Sequence, residues 1–493
     1  MRVLLLNPPF KSEFGRFSRE QRSPAITKGG TFYYPMWLCY ATGVLEQDGF
    51  EVLLIDAPAS QMSENEVYEK TNLFDPDIIV VDTSTPSISS DTEIAEYLKK
   101  TTGAFTVLVG THPTAQADET LSLHDKIDAV ARKEYEYTLR DLARKIDNAQ
   151  GHTDKTLLES VNGLSFRWKD EIIHNSDRPY IDNLDELPFL SSTYKKHLNI
   201  RDYFYTIAQY PQVAIYSGRG CPQKCVYCVY PQVMHGHRYR KRSVENLIEE
   251  FRYIEHELPE VREIFIEDDT FTIDRKRVMA FSKAYKDADL SISWIANSRA
   301  DIDYETLCAL KQCNCRLLCV GFESGEQGVL DAMKKRLKIE DAVAFVKNAK
   351  QTGILIHGCF IVGNPGETKE SLEKTLEYAK SLNPDTAQFF PIMVYPGTKA
   401  YNWAKENGYL LTEDYSQWNT EEGLHNCMVS RPDLSNVELV AFCDRARKEF
   451  YLRFRYISYR ILRLIRHPIE DGPRIMKSIS VFKNFLFRGT FGT

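Results

Sequence analysis

Cys221, Cys225 and Cys228 share one short loop with the spacing C-x3-C-x2-C, beginning at Gly218 and Gly220. Thiolates are soft ligands that suit iron–sulfur clusters. Three of them hold three corners of a cubane 4Fe–4S cluster and leave the fourth iron open to a substrate or cofactor, so the count matters as much as the spacing. The alternative is structural zinc, with His235 or His237 as fourth ligand. Structural zinc usually draws on two separated knuckles, and no second C-x2-C pair occurs. The other eight cysteines (Cys39, Cys308, Cys313, Cys315, Cys319, Cys359, Cys427 and Cys443) read as buried small hydrophobes.

The elements that must position this loop show in the hydrophobic pattern. Over 1–148, short apolar runs at 3–6, 52–55, 78–82, 106–110 and 129–131 alternate with amphipathic helical stretches. Pro35 sits in the first turn of one helix, and Ser90 to Glu93 reads as a capping box for another. This rhythm predicts an α/β fold with a doubly wound parallel sheet, whose ligands sit outside the carboxyl ends of the strands. Residues 149–205 read as a connector with a turn at Asn162-Gly163. Over 206–400, six strand–helix units follow, with strands at 213–216, 263–266, 292–296, 317–321, 354–362 and 387–394. They predict a partial (β/α)6 barrel, in which chemistry gathers at the carboxyl ends of the strands. The cysteine loop, the acids from Glu267 to Asp269, Ser298-Arg299 and Glu323 all fall at such ends. Residues 401–493 predict a helical C-terminal region with a basic amphipathic tail.

The cysteine spacing, with Tyr227 just before the last cysteine, resembles the signature of the radical S-adenosylmethionine (SAM) superfamily. That resemblance implies a 4Fe–4S cluster on Cys221, Cys225 and Cys228, SAM chelated at the open iron, and reductive cleavage of SAM to a radical that abstracts hydrogen. It implies adenine contact near Tyr227, an ammonium partner in Asp268 or Asp269, ribose contact through Ser298, a carboxylate grip by Arg299, and ribose or amino contact by Glu323. Gly366 and Glu367 resemble the family's G-x-P-G-E-T turn and read as structural. The first 148 residues resemble the cobalamin-binding domain that precedes many radical SAM domains. Gly110-Thr-His112-Pro-Thr114 and Lys133-Glu134-Tyr-Glu136 stand where relatives read G-G-x-H-x-T and G-E-x-E. His112 and Thr114 are then expected near a cofactor, cobalamin being the candidate, while Lys133 in place of glycine would crowd a corrin. His112 also reads as a loop histidine capping local backbone.

Stretches such as Lys28 to Leu38, Cys228 to Gln232 and Gly236 to Ser243 resemble the radical SAM proteins of hopanoid biosynthesis that contract a sugar headgroup. The resemblance implies rearrangement of a lipid-linked sugar or similar natural product. The alternatives are a cobalamin-dependent C-methyltransferase and a non-catalytic iron–sulfur protein. A reductant of the flavodoxin or ferredoxin kind is the implied partner.

Composition bounds the rest. The 493 residues exceed one core, and 43% hydrophobic with 27% charged residues is an ordinary globular balance. Unpaired cysteines and no leader-like start predict the cytoplasm. Net charge is −7, but residues 445–493 carry twelve Lys and Arg against three acids. The acidic body argues against nucleic acid, and the tail is expected either to touch an anionic membrane surface peripherally or to cover acidic protein surface.

Overall fold

The computed structural model describes residues 1–20 and 22–466. Five parallel strands, β1 (Arg2–Asn7), β2 (Glu51–Asp56), β3 (Ile78–Thr83), β4 (Phe105–Gly110) and β5 (Ala129–Ala131), continue into an antiparallel pair, β6 (Leu164–Trp168) and β7 (Glu171–His174). Their order is β2-β1-β3-β4-β5-β6-β7. All five predicted strands are present, but the sheet does not end near residue 148, since the expected connector supplies its last two strands.

Alternation along these strands decides what each face meets. Leu4, Leu6, Ile79, Val81 and Leu108 pack under helices Glu64–Phe74 and Ile88–Thr102. Val3, Leu5, Val80, Val107 and Val109 face the other way, into a core continuous with the second half of the molecule. A strand buried on both faces is apolar over most of its length, as Ile78 to Val81 of β3 are, with Asp82 and Thr83 buried at its carboxyl end. The capping box expected at Ser90 does not form. Helix Ile88–Thr102 starts earlier, after a tight turn at Thr85–Ser87, because Asp91 turns inward to bond Ser87 and Arg19.

The second sheet is built from β8 (Gln212–Ile215), β11 (Glu263–Ile266), β12 (Ser293–Ser298), β13 (Cys315–Glu323), β14 (Leu355–Val362) and β15 (Thr386–Pro391), all parallel and in that spatial order. A short antiparallel pair, β9 (Gly218–Arg219) and β10 (Arg240–Lys241), brackets the cysteine loop. This is the predicted incomplete barrel. Residues 22–33, 204–210 and the C-terminal helices Asn436–Tyr451 and Phe454–Arg466 line the space inside it.

Buried ion pairs join the two sheets. Arg240 grips Glu134 with both terminal nitrogens at 2.5 and 2.8 Å, and Arg219 meets Glu136 at 2.6 Å. Arg219 also lies over the rings of Trp37 and Tyr40. Removing one partner of such a pair strands a buried charge, so these contacts hold the halves in one arrangement.

No helix among the described residues is long and apolar enough to cross a membrane. Helix Phe454–Arg466 rests on the body through Tyr456 and Tyr459, which bond Asp385. It exposes Phe454, Ile461, Leu462 and Ile465. The tail's remaining basic residues, Arg474, Lys477, Lys483 and Arg488, lie outside the described residues.

Candidate active site

The cysteine loop leaves β9 through Gly220, whose φ of +83° suits glycine. A methyl group there would sit 2.4 Å from the Arg238 carbonyl oxygen. Gln232 gathers the loop by donating to the carbonyls of Cys225, Val226 and Cys228 at 3.3, 3.1 and 2.8 Å. His237 approaches the carbonyls of Cys221 and Gln223, while His235 faces Glu134, so neither histidine acts as a fourth ligand. The three sulfurs do not all lie within 4.8 Å of one another. That is too wide for three thiolates on a single zinc at about 2.3 Å each.

All three thiols line one cavity of about 1300 Å³ that runs from the loop down the inside of the sheet to Gln209 and Thr386. Of the acids after β11, Asp268 is consumed by structure. It accepts from Ser217 N and Oγ at 2.6 Å each and from Gly218 N at 3.0 Å, anchoring the start of the loop. Of the two acids expected to meet an ammonium, Asp268 therefore does not line the cavity. Asp269 does: it lines the cavity, and neither of its buried oxygens has a hydrogen-bond partner. Arg22 stands 3.7 Å from Asp269 and 3.2 Å from Glu267, which also accepts from Asn297 at 2.7 Å. Burial raises the Glu267 pKa, opposed by Arg22.

Ser298 and Arg299 end β12 on the cavity wall, but both are engaged. The serine hydroxyl donates to its neighbour's carbonyl and meets Thr272 at 3.0 Å. The Arg299 fork is occupied by Asp301 at 2.8 Å and by the carbonyls of Lys335 and Arg336 at 3.2 and 2.7 Å. In this arrangement it positions the 335–336 turn. Glu323 adopts φ +64° and accepts from the Tyr227 hydroxyl at 2.9 Å and Lys335 at 2.6 Å. Its second oxygen is buried without a partner. Glu367 accepts from the backbone of Gly363 and Asn364 at 2.7 and 3.0 Å, the structural turn its motif implied.

Arg22, Asn297 and Lys335 were not singled out in the sequence. A lone arginine in an irregular segment carries no local signal, and Lys335 meets Glu323 only through the fold. Cys319 and Cys359 also depart from expectation: they are half-buried and line the cavity instead of a core. Cys313, by contrast, is buried against Ser282.

His112 and Thr114 lie together at the carboxyl edge of the first sheet, outside this cavity. His112 Nδ1 is 3.2 Å from Thr85 Oγ1, and its ring packs edge-on against Tyr415. Burial holds it near pKa 3, so it is neutral. Thr114 accepts from Lys133 N at 3.0 Å. The crevice that such sheets offer to ligands is filled by the chain itself. Arg19 bonds Asp91 at 2.5 and 3.1 Å, Asn7 at 2.7 Å and the Pro8 carbonyl at 2.6 Å. Glu20 caps Trp37 N at 2.9 Å and takes the Tyr230 hydroxyl on its carbonyl. The void left among Arg19, Glu20, Asp82, Gly110 and Met234 is about 20 Å³. A corrin would have to displace residues 17–20, which lie across the strand ends, and His112 and Thr114 border this filled crevice.

The sequence matches the family described as Radical SAM superfamily over residues 215–379 and the B12 binding domain over residues 22–143. It is 30% identical over 455 residues to an uncharacterized methyltransferase of Pyrococcus horikoshii, covering 92% of this chain and 93% of that one. It is 28% identical over 403 residues to an anaerobic magnesium-protoporphyrin IX monomethyl ester cyclase of Rubrivivax gelatinosus, covering 80% and 68%. Among solved structures, the radical SAM methyltransferase TsrM of Kitasatospora setae superposes with a TM-score of 0.64 at 18% identity, covering 83% of this chain and 77% of that one.

Proposed function

The chain belongs to the radical SAM superfamily, with a B12-binding domain ahead of the radical SAM domain, and from that premise we propose that it activates a C–H bond of a largely apolar, anionic substrate and transfers a methyl group to carbon. The observation that carries this reading is one cavity faced by three cluster-type thiols and by the Asp269 carboxylate, which has no hydrogen-bond partner. Cys221, Cys225 and Cys228 would hold a 4Fe–4S cluster that, given one electron by a flavodoxin- or ferredoxin-type reductant, would supply from bound SAM a carbon radical able to take hydrogen from an unactivated carbon.

The chain's own groups prepare that site. Glu267, Asp269 and Glu323 line it together with Arg22, Arg299 and Lys335, so carboxylates stand within reach of the cationic groups of SAM while their charge is balanced. Asp269 has both oxygens to offer an ammonium, a charge-assisted bond. Tyr227 and Lys335 fix one oxygen of Glu323 and leave the other buried without a partner, an acceptor for a hydroxyl. A methyl at Gly321 would lie 2.1 Å from Glu323 Oε1, so the glycine leaves this carboxylate its present place. Phe265, Phe389 and Ile392 make the wall apolar, while Lys448 and Arg460, beside the Arg447–Asp444 pair, line the cavity too and suit an anionic substrate group.

Methyl transfer rests on the relatives, which are methyltransferases and a cyclase by name. They replace the rearrangement of a lipid-linked sugar as the leading reading, and the hopanoid resemblance is not carried further. A second reading, hydrogen abstraction without methyl transfer, is favoured by the filled crevice over the first sheet. Anaerobic reconstitution with iron, sulfide and a flavodoxin- or ferredoxin-type reductant separates them. Methyl transfer yields S-adenosylhomocysteine beside 5′-deoxyadenosine, and abstraction alone yields only the latter. Asp269→Asn is expected to keep the cluster spectrum and weaken SAM binding about 10- to 100-fold. A reduced, cluster-loaded protein that leaves SAM intact would refute both readings and favour a non-catalytic iron–sulfur protein.

A further inference from the structure

On the barrel wall made by β13 and β14, three ligand-type side chains converge away from the cluster loop. Cys319 Sγ and Cys359 Sγ lie 3.8 Å apart. With a ring nitrogen of His357, their ligand atoms all lie within 4.8 Å of one another, and no other His, Cys, Asp or Glu group among the described residues converges so closely. Strand register produces this. Cys319 pairs with His357 across the sheet, and Cys359 follows two residues later, so all three project from the same face. That face is the cavity wall.

The spacing is that of one ion's ligands. At a zinc–sulfur distance of about 2.3 Å, tetrahedral geometry separates two thiolates by about 3.8 Å. A disulfide would bring them to about 2.05 Å. Thr386 Oγ1 and Gln388 Oε1 flank the imidazole, 2.7 and 3.4 Å from its two nitrogens. Whichever nitrogen faces the ion, the other keeps an oxygen partner, the support that metal-bound histidines normally have.

We propose that Cys319, His357 and Cys359 form a second metal site, which takes Zn²⁺ through two thiolates and one imidazole and turns its fourth position into the cavity. Thiolate and imidazole donors favour zinc over the oxygen-seeking Mg²⁺ and Ca²⁺. Binding releases the two thiol protons to solvent, and the two thiolate charges balance the ion. The open position takes an oxygen or sulfur donor of the substrate, a carboxylate, alkoxide or thiolate, and fixes it against the wall. That last role rests on the cavity being the substrate site; zinc binding does not.

The test counts zinc and iron by mass spectrometry in the full-length chain, purified anaerobically without SAM or substrate. About one zinc per chain is expected, retained when Cys221, Cys225 and Cys228 are all replaced by alanine and iron is lost. Cys319→Ser and Cys359→Ser should each lower zinc affinity at least about tenfold in a chelator competition. Co²⁺ added to the metal-depleted wild type should give a thiolate-to-cobalt charge-transfer band, so the result does not depend on any variant folding. No such band, zinc that leaves with the cluster cysteines, or zinc kept by the Cys319→Ser/Cys359→Ser double variant overturns the proposal. Each outcome is read without SAM cleavage and is therefore independent of the radical chemistry.

Discussion

The filled crevice gives a quantitative expectation for corrinoid binding. Arg19 and Asp91 are almost entirely buried, with side-chain exposures of 1% and 0%. A corrinoid reaching His112 must first expel residues 17–20 and separate this pair. Leaving one such buried charge unpaired costs about 3–5 kcal/mol. If the open state is disfavoured by that amount, apparent affinity falls by the open fraction, roughly 10²- to 10⁴-fold. The informative perturbation is the double variant Arg19→Met/Asp91→Asn, which removes both charges together and so avoids stranding either one. Hydroxocobalamin binding is measured by equilibrium dialysis and absorbance on wild type and variant, with circular dichroism confirming the fold. The variant is expected to bind at least about 100-fold more tightly than wild type. Equal affinities, or wild type purified with a full equivalent of corrinoid, would show that the 17–20 segment is no latch and that the energetic reasoning fails.

Two further expectations address the cluster loop and the turn after β14. Gly220→Ala forces a side chain into a left-handed conformation and against the Arg238 carbonyl, a strain of about 2 kcal/mol or more. Iron retained per chain should fall while the first sheet keeps its hydrogen-exchange protection; unchanged iron would contradict the assigned geometry. Burial pushes Glu367 up to about 7 from an ordinary 4.5. The unfolded chain then loses this proton first, so stability falls as pH rises from about 4.5 to 7 and levels off above that. Glu367→Gln should flatten that stretch of the denaturant-midpoint profile, and a slope as steep as wild type would assign the pH dependence elsewhere.

Much of the fold was readable because local pattern carried it. Val3 to Leu6, Ile78 to Asp82 and the six later apolar runs fall on observed strands, since burial in parallel sheets demands continuous apolar sequence. The β6–β7 pair was missed because two short strands in a polar stretch look like a connector. The capping box at Ser90 misled because Asp91, bonded to Ser87 and to Arg19 seventy-two residues away, is buried inside a helix that already begins at Ile88.

The sequence by itself determined the cluster loop and the order of polar residues at the strand ends. Those depend on spacing within a few residues, where ligand geometry and strand periodicity act directly. Only the tertiary structure decided that Asp269 and not Asp268 faces the cavity, that Arg299 is already engaged, and that Arg22 arrives from the N-terminal segment. It alone brought Cys319 and Cys359, forty residues apart, to 3.8 Å and laid Arg19 across the first sheet. Such contacts join residues whose separation in sequence leaves no periodic trace, and their energies come from burial and charge pairing that exist only once the sheets have packed.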